Sequence, residues 1–277
     1  MRRRLAFART PTGMLGLVLL VLVLGIALVG PLFAPHAPDE PIGIPLTRPA
    51  DGQPLGTDFL GRDVLSRVLW GGRSVLELAG AATLLAYLVG GTIGVFAGYN
   101  RRLADGVLMR GVDVMLSVPP LVLLLVLVTG AGTSEAILVV GVALVQAPLV
   151  ARVVRTATLE QSIRGFVEAA VARGERTTAV LRREILPNIA APIAADAGLR
   201  FTYSILLVAS VNFLGLGLQP PAADWALIIS ENRAGLDLNP YVILVPAVLI
   251  AFLTIGLNLV GDAVARTLGR SSAGTVR

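Results

Sequence analysis

No cysteine and no lysine occur in the 277 residues, histidine appears once, as His36, and aromatic residues make up only 5% of the chain. The missing cysteine excludes a disulfide framework and any thiolate metal site. With a single imidazole, and without an HExxH, GxSxG or phosphate-loop pattern, the chain offers no familiar metal, nucleophile or phosphate motif. Charge is scarce as well: 15% of residues are charged against 55% hydrophobic, and the mean hydropathy is +0.79. A soluble domain of this length needs more polar cover, so the composition implies an integral membrane protein. The net charge of +5 does not point to nucleic acid, because no basic face is interleaved with aromatics and the arginines gather at the ends of apolar runs.

What the chain does have is apolar length. A spanning helix needs roughly 20 apolar residues, and six stretches qualify: Gly13 to Phe33, Val75 to Tyr99, Val107 to Thr129, Ala136 to Val154, Ile193 to Leu218 and Tyr241 to Val264. The first is longer than a signal-peptide core and no A-x-A site follows it, so it is expected to remain as an anchor. Arginine marks alternate loops: Arg2, Arg3, Arg4 and Arg9, then Arg101, Arg102 and Arg110, then Arg152 through Arg183, then Arg266, Arg270 and Arg277. Positive loops stay cytoplasmic, which predicts both termini inside and places the segments from Pro35 to Gly72 and from Gln219 to Pro240 outside. The expected organisation is a stub, first span and Pro-rich outer segment over 1–72, a five-helix core over 73–270, and a tail over 271–277.

Small residues recur every fourth position at Ala82, Ala86, Gly90, Gly94 and Gly98, a ridge along which a neighbouring helix can approach closely; helix bending is the functional alternative. Ionisable residues in or beside spans are few. Asp196 and Arg200 have the i,i+4 spacing of a pair, as do Asp63 and Arg67 beside Leu60, Val64 and Val68, a pattern that suits a short helix on the membrane surface. Asn212 and Asn258 read as interhelical hydrogen-bonding groups. No paired acids stand at mid-span, which argues against an ion-driven transporter, and an intramembrane enzyme lacks candidate residues.

The most informative stretch follows span four. In "SIRGFVEAAVARG", Ser162 can cap a helix, Gly174 can end it, and Ile163, Phe166, Val167, Ala170 and Val171 form an apolar stripe, with Arg164, Glu168 and Arg173 on other faces. A second segment, Thr178 to Leu186, is expected to end at Pro187, so residues 160–190 read as helix, turn, helix. A helix this short needs a surface for its stripe: the bilayer, the protein's own spans or a partner's groove.

The run "FVEAAVARGERTTAVLRREILPN" resembles the EAA signature of permease subunits of ATP-binding-cassette importers, with Glu168, Ala169, Ala170, Gly174, Leu186 and Pro187 at the marked positions. "PLGTDFLGRDVLSRVLWGGRS" and "SVNFLGLGLQPPAADWA" look like the C-subunit type of the dipeptide, oligopeptide and nickel branch. Arg173 stands where that family usually has leucine, Ala147 where it often has tryptophan, and the tail after Asp262 departs from its usual acidic pattern. The resemblance implies an all-α membrane fold of the type I importer class, six spans with a peripheral first helix and a cytoplasmic coupling helix. It implies that Phe166, Val167, Glu168, Ala169, Ala170, Arg173, Gly174, Leu186 and Pro187 couple to an ATPase, and that the chain holds no cofactor, ATP and Mg belonging to two partner ATPase subunits. It further implies a homologous B-type permease partner, an extracytoplasmic binding protein, a bacterial inner-membrane location, and di- or oligopeptides as cargo, with nickel chelates or glutathione-like compounds as alternatives.

Overall fold

A computed structural model describes residues 11–100 and 103–273. The arginines of the N-terminal stub, Arg101, Arg102 and the tail from 274, on which part of the orientation reading rests, lie outside the described residues, as do the side chains from 264 onward. Ten α-helices follow in order: α1 Pro11–Val29, α2 Val64–Tyr99, α3 Leu103–Leu116, α4 Pro120–Ala131, α5 Glu135–Ser162, α6 Gly165–Ala172, α7 Thr177–Val180, α8 Leu186–Phe213, α9 Trp225–Glu231 and α10 Tyr241–Ala273. Among the described residues no strand forms, only three isolated bridges in the segment between α1 and α2.

Five helical segments are long and apolar enough to cross a membrane, and α3 with α4 makes a sixth if the pair counts as one span bent by 84°. The third span, read over Val107 to Thr129 with Pro119 and Pro120 as a kink or a helix start, does break there. Its break has a local cause: proline disfavours helical backbone in the residue before it, and in Ser117-Val118-Pro119-Pro120 two such restrictions follow one another. Pro119 is extended, with φ −56° and ψ 130°, and α4 starts afresh at Pro120.

The small-residue ridge settles the packing of the bundle's centre. Gly90, Gly94 and Gly98 of α2 face Ala147, Ala151 and Arg155 of α5 in the same order, so the two helices run parallel. A methyl group at Gly94 would stand 2.6 Å from the Ala151 carbonyl oxygen, and one at Gly98 would stand 2.7 Å from that of Arg155. Parallel α2 and α5 carry Gly98 and Ser162 to one end of the bundle and Val64 and Glu135 to the other. The first helix α1 lies against α10, where Gly16 meets Leu259 and Gly256 meets Leu20, and joins the buried cluster of Val23, Ala27, Val68, Trp225 and Leu253.

Two expectations change at the Val64 end of the bundle. Residues 60–68 form no separate surface helix: α2 begins at Val64, and both Val64 and Val68 are buried. The Pro-rich segment is exposed or half-buried along its length yet tied to the far end of the chain, because Asn239 donates through Nδ2 to the carbonyls of Thr47, Leu55 and Thr57, and Arg48 Nε donates to that of Leu238. Buried backbone acceptors need such partners, and one asparagine supplies three of them.

Candidate functional site

At the α6 end, the chain leaves α5 at Ser162 and re-enters a helix at Gly165. Ser162 does not cap α6, as its position suggested; it closes α5, its hydroxyl donating to the Leu159 carbonyl, while Arg164 stands at the N-cap without a side-chain bond. The C-terminal end behaves as expected. Gly174 has φ +80°, its N–H donates to the Val171 carbonyl and that of Glu175 to Ala170, the paired bonds of a Schellman ending. Arg173 folds back on that ending, with Nη2 2.7 Å from Glu175 Oε1.

The apolar stripe of α6 divides. Val167 and Ala170 are buried among Val154, Ala157, Val180, Leu181, Ile185 and Ile189, so the protein's own loop covers that half. Ile163, Phe166 and Val171 remain exposed, at 60, 40 and 53%, together with Glu168 and Ala169. The second segment does not end at Pro187. It passes through a π-helical turn, Leu181–Ile185, in which the N–H of Leu186 reaches the Leu181 carbonyl, and continues into α8. A proline ring clashes with the carbonyl four residues earlier, here that of Arg183, and the wider π turn lies where that clash would fall. Leu186 and Pro187 are exposed at the foot of α8, one helix removed from α6.

At the opposite end, four charged side chains close on one another out of water. Arg67 Nη1 lies 3.1 Å from Asp58 Oδ2 and its Nη2 2.9 Å from Glu231 Oε2; Arg62 reaches the same two carboxylates at 2.6 and 3.0 Å. Asp58 and Arg67 are fully buried. The expected Asp63–Arg67 pair is absent: Asp63 instead caps α2, accepting from the N–H and hydroxyl of Ser66. Sequence reasoning missed Glu231, which lies 164 positions from Arg67, a distance over which no spacing rule operates. Burial pushes its carboxyl up to about 7, against the pull of Arg62. Beside this cluster, Asp224 caps α9 by accepting from the N–H groups of Ala226 and Leu227 and from Asn212 Nδ2; its complete burial raises its pKa. Asn212 thus joins two elements as expected, whereas among the described residues Asn258 donates to Thr254 of its own helix. At mid-bundle Asp196 and Arg200 do pair, at 3.1 Å. The two end assemblies share rigid elements: α2 carries Arg67 at one end and meets α5, the root of α6, at the other.

The family model described as "Binding-protein-dependent transport system inner membrane component" matches residues 90–273, and that described as "N-terminal TM domain of oligopeptide transport permease C" matches residues 2–51. The chain is 36% identical over 77% of its length, and 71% of the relative's, to the glutathione transport system permease protein GsiD of Pectobacterium atrosepticum. It is 32% identical to the dipeptide transport system permease protein DppC of Alkalihalophilus pseudofirmus, over 94% of this chain and 86% of that one. Among solved structures, a chain of the inward-facing MetNI methionine ABC transporter shares the fold, with a TM-score of 0.58 and 21% identity over 73% of this chain and 95% of that one.

Proposed function

This chain belongs to the family of binding-protein-dependent transport system inner membrane components, and from that premise we propose that α6 is the lever through which an ATPase drives it. It is a multi-pass permease subunit of a peptide-type importer, of the C type of that branch. The division of labour is the proposed part: this subunit pairs with a homologous B-type permease, two ABC ATPase subunits supply ATP and Mg chemistry from the cytoplasm, and a binding protein delivers cargo on the other side. Both termini and α6 then face the cytoplasm.

The observation that carries the reading is the split stripe of α6. Val167 and Ala170 root the helix in its own loop, and Phe166, Ala169 and Val171 are left as an apolar face beside the acid of Glu168. A helix held on one side and bare on the other suits a groove in a partner. ATP acts by binding one state of the complex better than the other; when the two ATPases close, their levers approach, and the permease halves rock between inward-open and outward-open forms. The buried quartet at the outer end keeps the α9 segment and the 35–63 segment as one body on α2, the surface proposed to receive the binding protein.

The cargo is taken to be di- or oligopeptides. Glutathione-like tripeptides are a second reading, favoured by the resemblance to a glutathione permease. Because the chain contains no cysteine, Ala169→Cys supplies one defined thiol on the exposed side of α6, and Ala170→Cys an internal control at a buried position. In the assembled transporter during import, the first is expected to crosslink to an ATPase subunit and the second to fail. Absence of any ATPase adduct at Ala169 removes the lever reading.

A further inference from the structure

One ion pair lies near the middle of a spanning helix, outside both end assemblies. Asp196 and Arg200 of α8 are each about one-tenth exposed, the hydroxyl of Tyr87 on α2 donates to Asp196 Oδ2 at 2.6 Å, and the guanidinium stands 6.0 Å from the ring of Tyr203. Charge at this depth is costly and marks function by default. Helix packing does not require it, since a neutral network behind it already joins α2, α5 and α8: Gln146 Nε2 donates to Ser204 Oγ at 2.5 Å, and Ser204 Oγ lies 2.7 Å from Thr83 Oγ1. Gln146 Oε1 in that network is buried without a partner.

The pair lies at the seam where α2 meets α8. Both helices keep exposed apolar side chains: Ala81, Leu84 and Leu88 on α2, and Leu199, Tyr203 and Leu206 on α8. Toward the outer end the α2 stripe runs into a groove of about 310 Å³ lined by Trp70, Arg73, Glu77 and Glu135. Toward the α6 end the seam opens into an apolar groove of about 370 Å³, lined by Tyr87, Phe96, Leu186 and Ile193. Tyr87 lines that second groove and bonds Asp196 as well, so the ion pair borders the groove through Tyr87.

We propose that the α2–α8 seam is this subunit's wall of the cargo path, and that Asp196, Arg200 and Tyr87 form a station for the free termini of a short peptide. The inference rests on the importer reading above. The guanidinium fork matches a terminal carboxylate, and Asp196 matches a terminal ammonium. Exchange of one internal pair for two external ones of the same kind leaves no charge unmatched. Affinity at such a station stays weak, as passage requires: a site on a path must release what it binds.

The test uses the complete transporter. In nanodiscs, single thiols at Leu199→Cys and Ala81→Cys are expected to react with a hydrophilic thiol reagent, and the reaction to slow when dialanine-loaded binding protein and ATP are added. In proteoliposomes, the neutral double variant Asp196→Asn with Arg200→Gln is expected to assemble and hydrolyse ATP at the wild-type rate but to import dialanine about tenfold more slowly or worse, through kcat, while Arg200→Lys, which keeps the charge but not the fork, recovers only part of the uptake. Wild-type uptake by the double variant assigns the pair to packing and overturns the station. Thiols that never react place the seam against lipid or a protein surface and overturn the path. A wild-type complex that imports no peptide at all overturns the importer reading instead.

Discussion

Arg67 and Arg73 stand six positions apart on α2, and their environments give them very different weights. Arg67 is fully buried against Asp58 and Glu231, and removal of one member of a buried ion cluster leaves an uncompensated charge, a cost of about 3–5 kcal/mol. Arg73 pairs with Glu77 at 2.7 Å, but more than half of each side chain is in solvent, where water and salt screen such pairs and they contribute little. Arg67→Met is therefore expected to lower the thermal midpoint in detergent sharply and Arg73→Gln hardly at all. Equal midpoints would show that the quartet is solvated. Glu231 adds a pH dependence. Its carboxyl is raised from 4.5 to about 7, first by burial, then by Asp58, against Arg62. An acid that holds its proton more tightly when folded contributes stability that is complete below about 4.5 and is lost as pH rises through 7. Between pH 5 and 8 the wild-type midpoint should fall relative to that of Glu231→Gln, and parallel curves would place the titration elsewhere.

Among the helices, the close-packing face of α2 was the most legible part of the fold, because a four-residue repeat of small side chains lets backbones approach closely, although nothing in that repeat named α5 as the neighbour. Gly94 and Gly91 test it directly. A methyl at Gly94 meets the Ala151 carbonyl and Val154, whereas one at Gly91 meets nothing within 4 Å. Gly94→Ala should destabilise by about 1–3 kcal/mol through overpacking, and Gly91→Ala should be neutral or slightly stabilising through helix propensity. Thermal unfolding of the two variants decides it. The loop from α6 to α8 was half legible. Gly174 announced its turn because few residues adopt a positive φ, but Ser162 and Pro187 misled, since each has two uses: a serine can close one helix as well as open the next, and a proline is tolerated in a helix whose preceding turn widens. The break at Ser117–Pro119 was visible as a proline pair, though its 84° angle depends on what α3 and α4 pack against. The Asp58–Arg62–Arg67–Glu231 quartet was not legible at all, because Asp58 could choose among several arginines nearby and only the placement of α9 brings Glu231 to them.

The whole molecule works as a transmission if the motion of α6 reaches the outer end without being absorbed on the way. Two features favour that. The 28 residues of α5 rise about 42 Å as one helix, and α5 is locked to α2 at three successive glycines, so a tilt of the lever's root moves the helix that bears the buried quartet. The weak point is the joint where α6 turns back through Gly174 to α7. A proline there cannot adopt φ +80°, and it removes the N–H that Val171 accepts. Gly174→Pro should therefore leave insertion and the α2–α5 core intact but free α6 from Val167 and Ala170's burial site. The expected result in proteoliposomes is peptide uptake reduced by about tenfold or more at undiminished ATP hydrolysis, a fall in the number of peptides moved per ATP. Gly165→Ala, at the start of the same helix with open space around it, should keep the wild-type ratio. If Gly174→Pro also keeps that ratio, the joint is not under load, and force must enter the bundle through the foot of α8 at Leu186 and Pro187 instead.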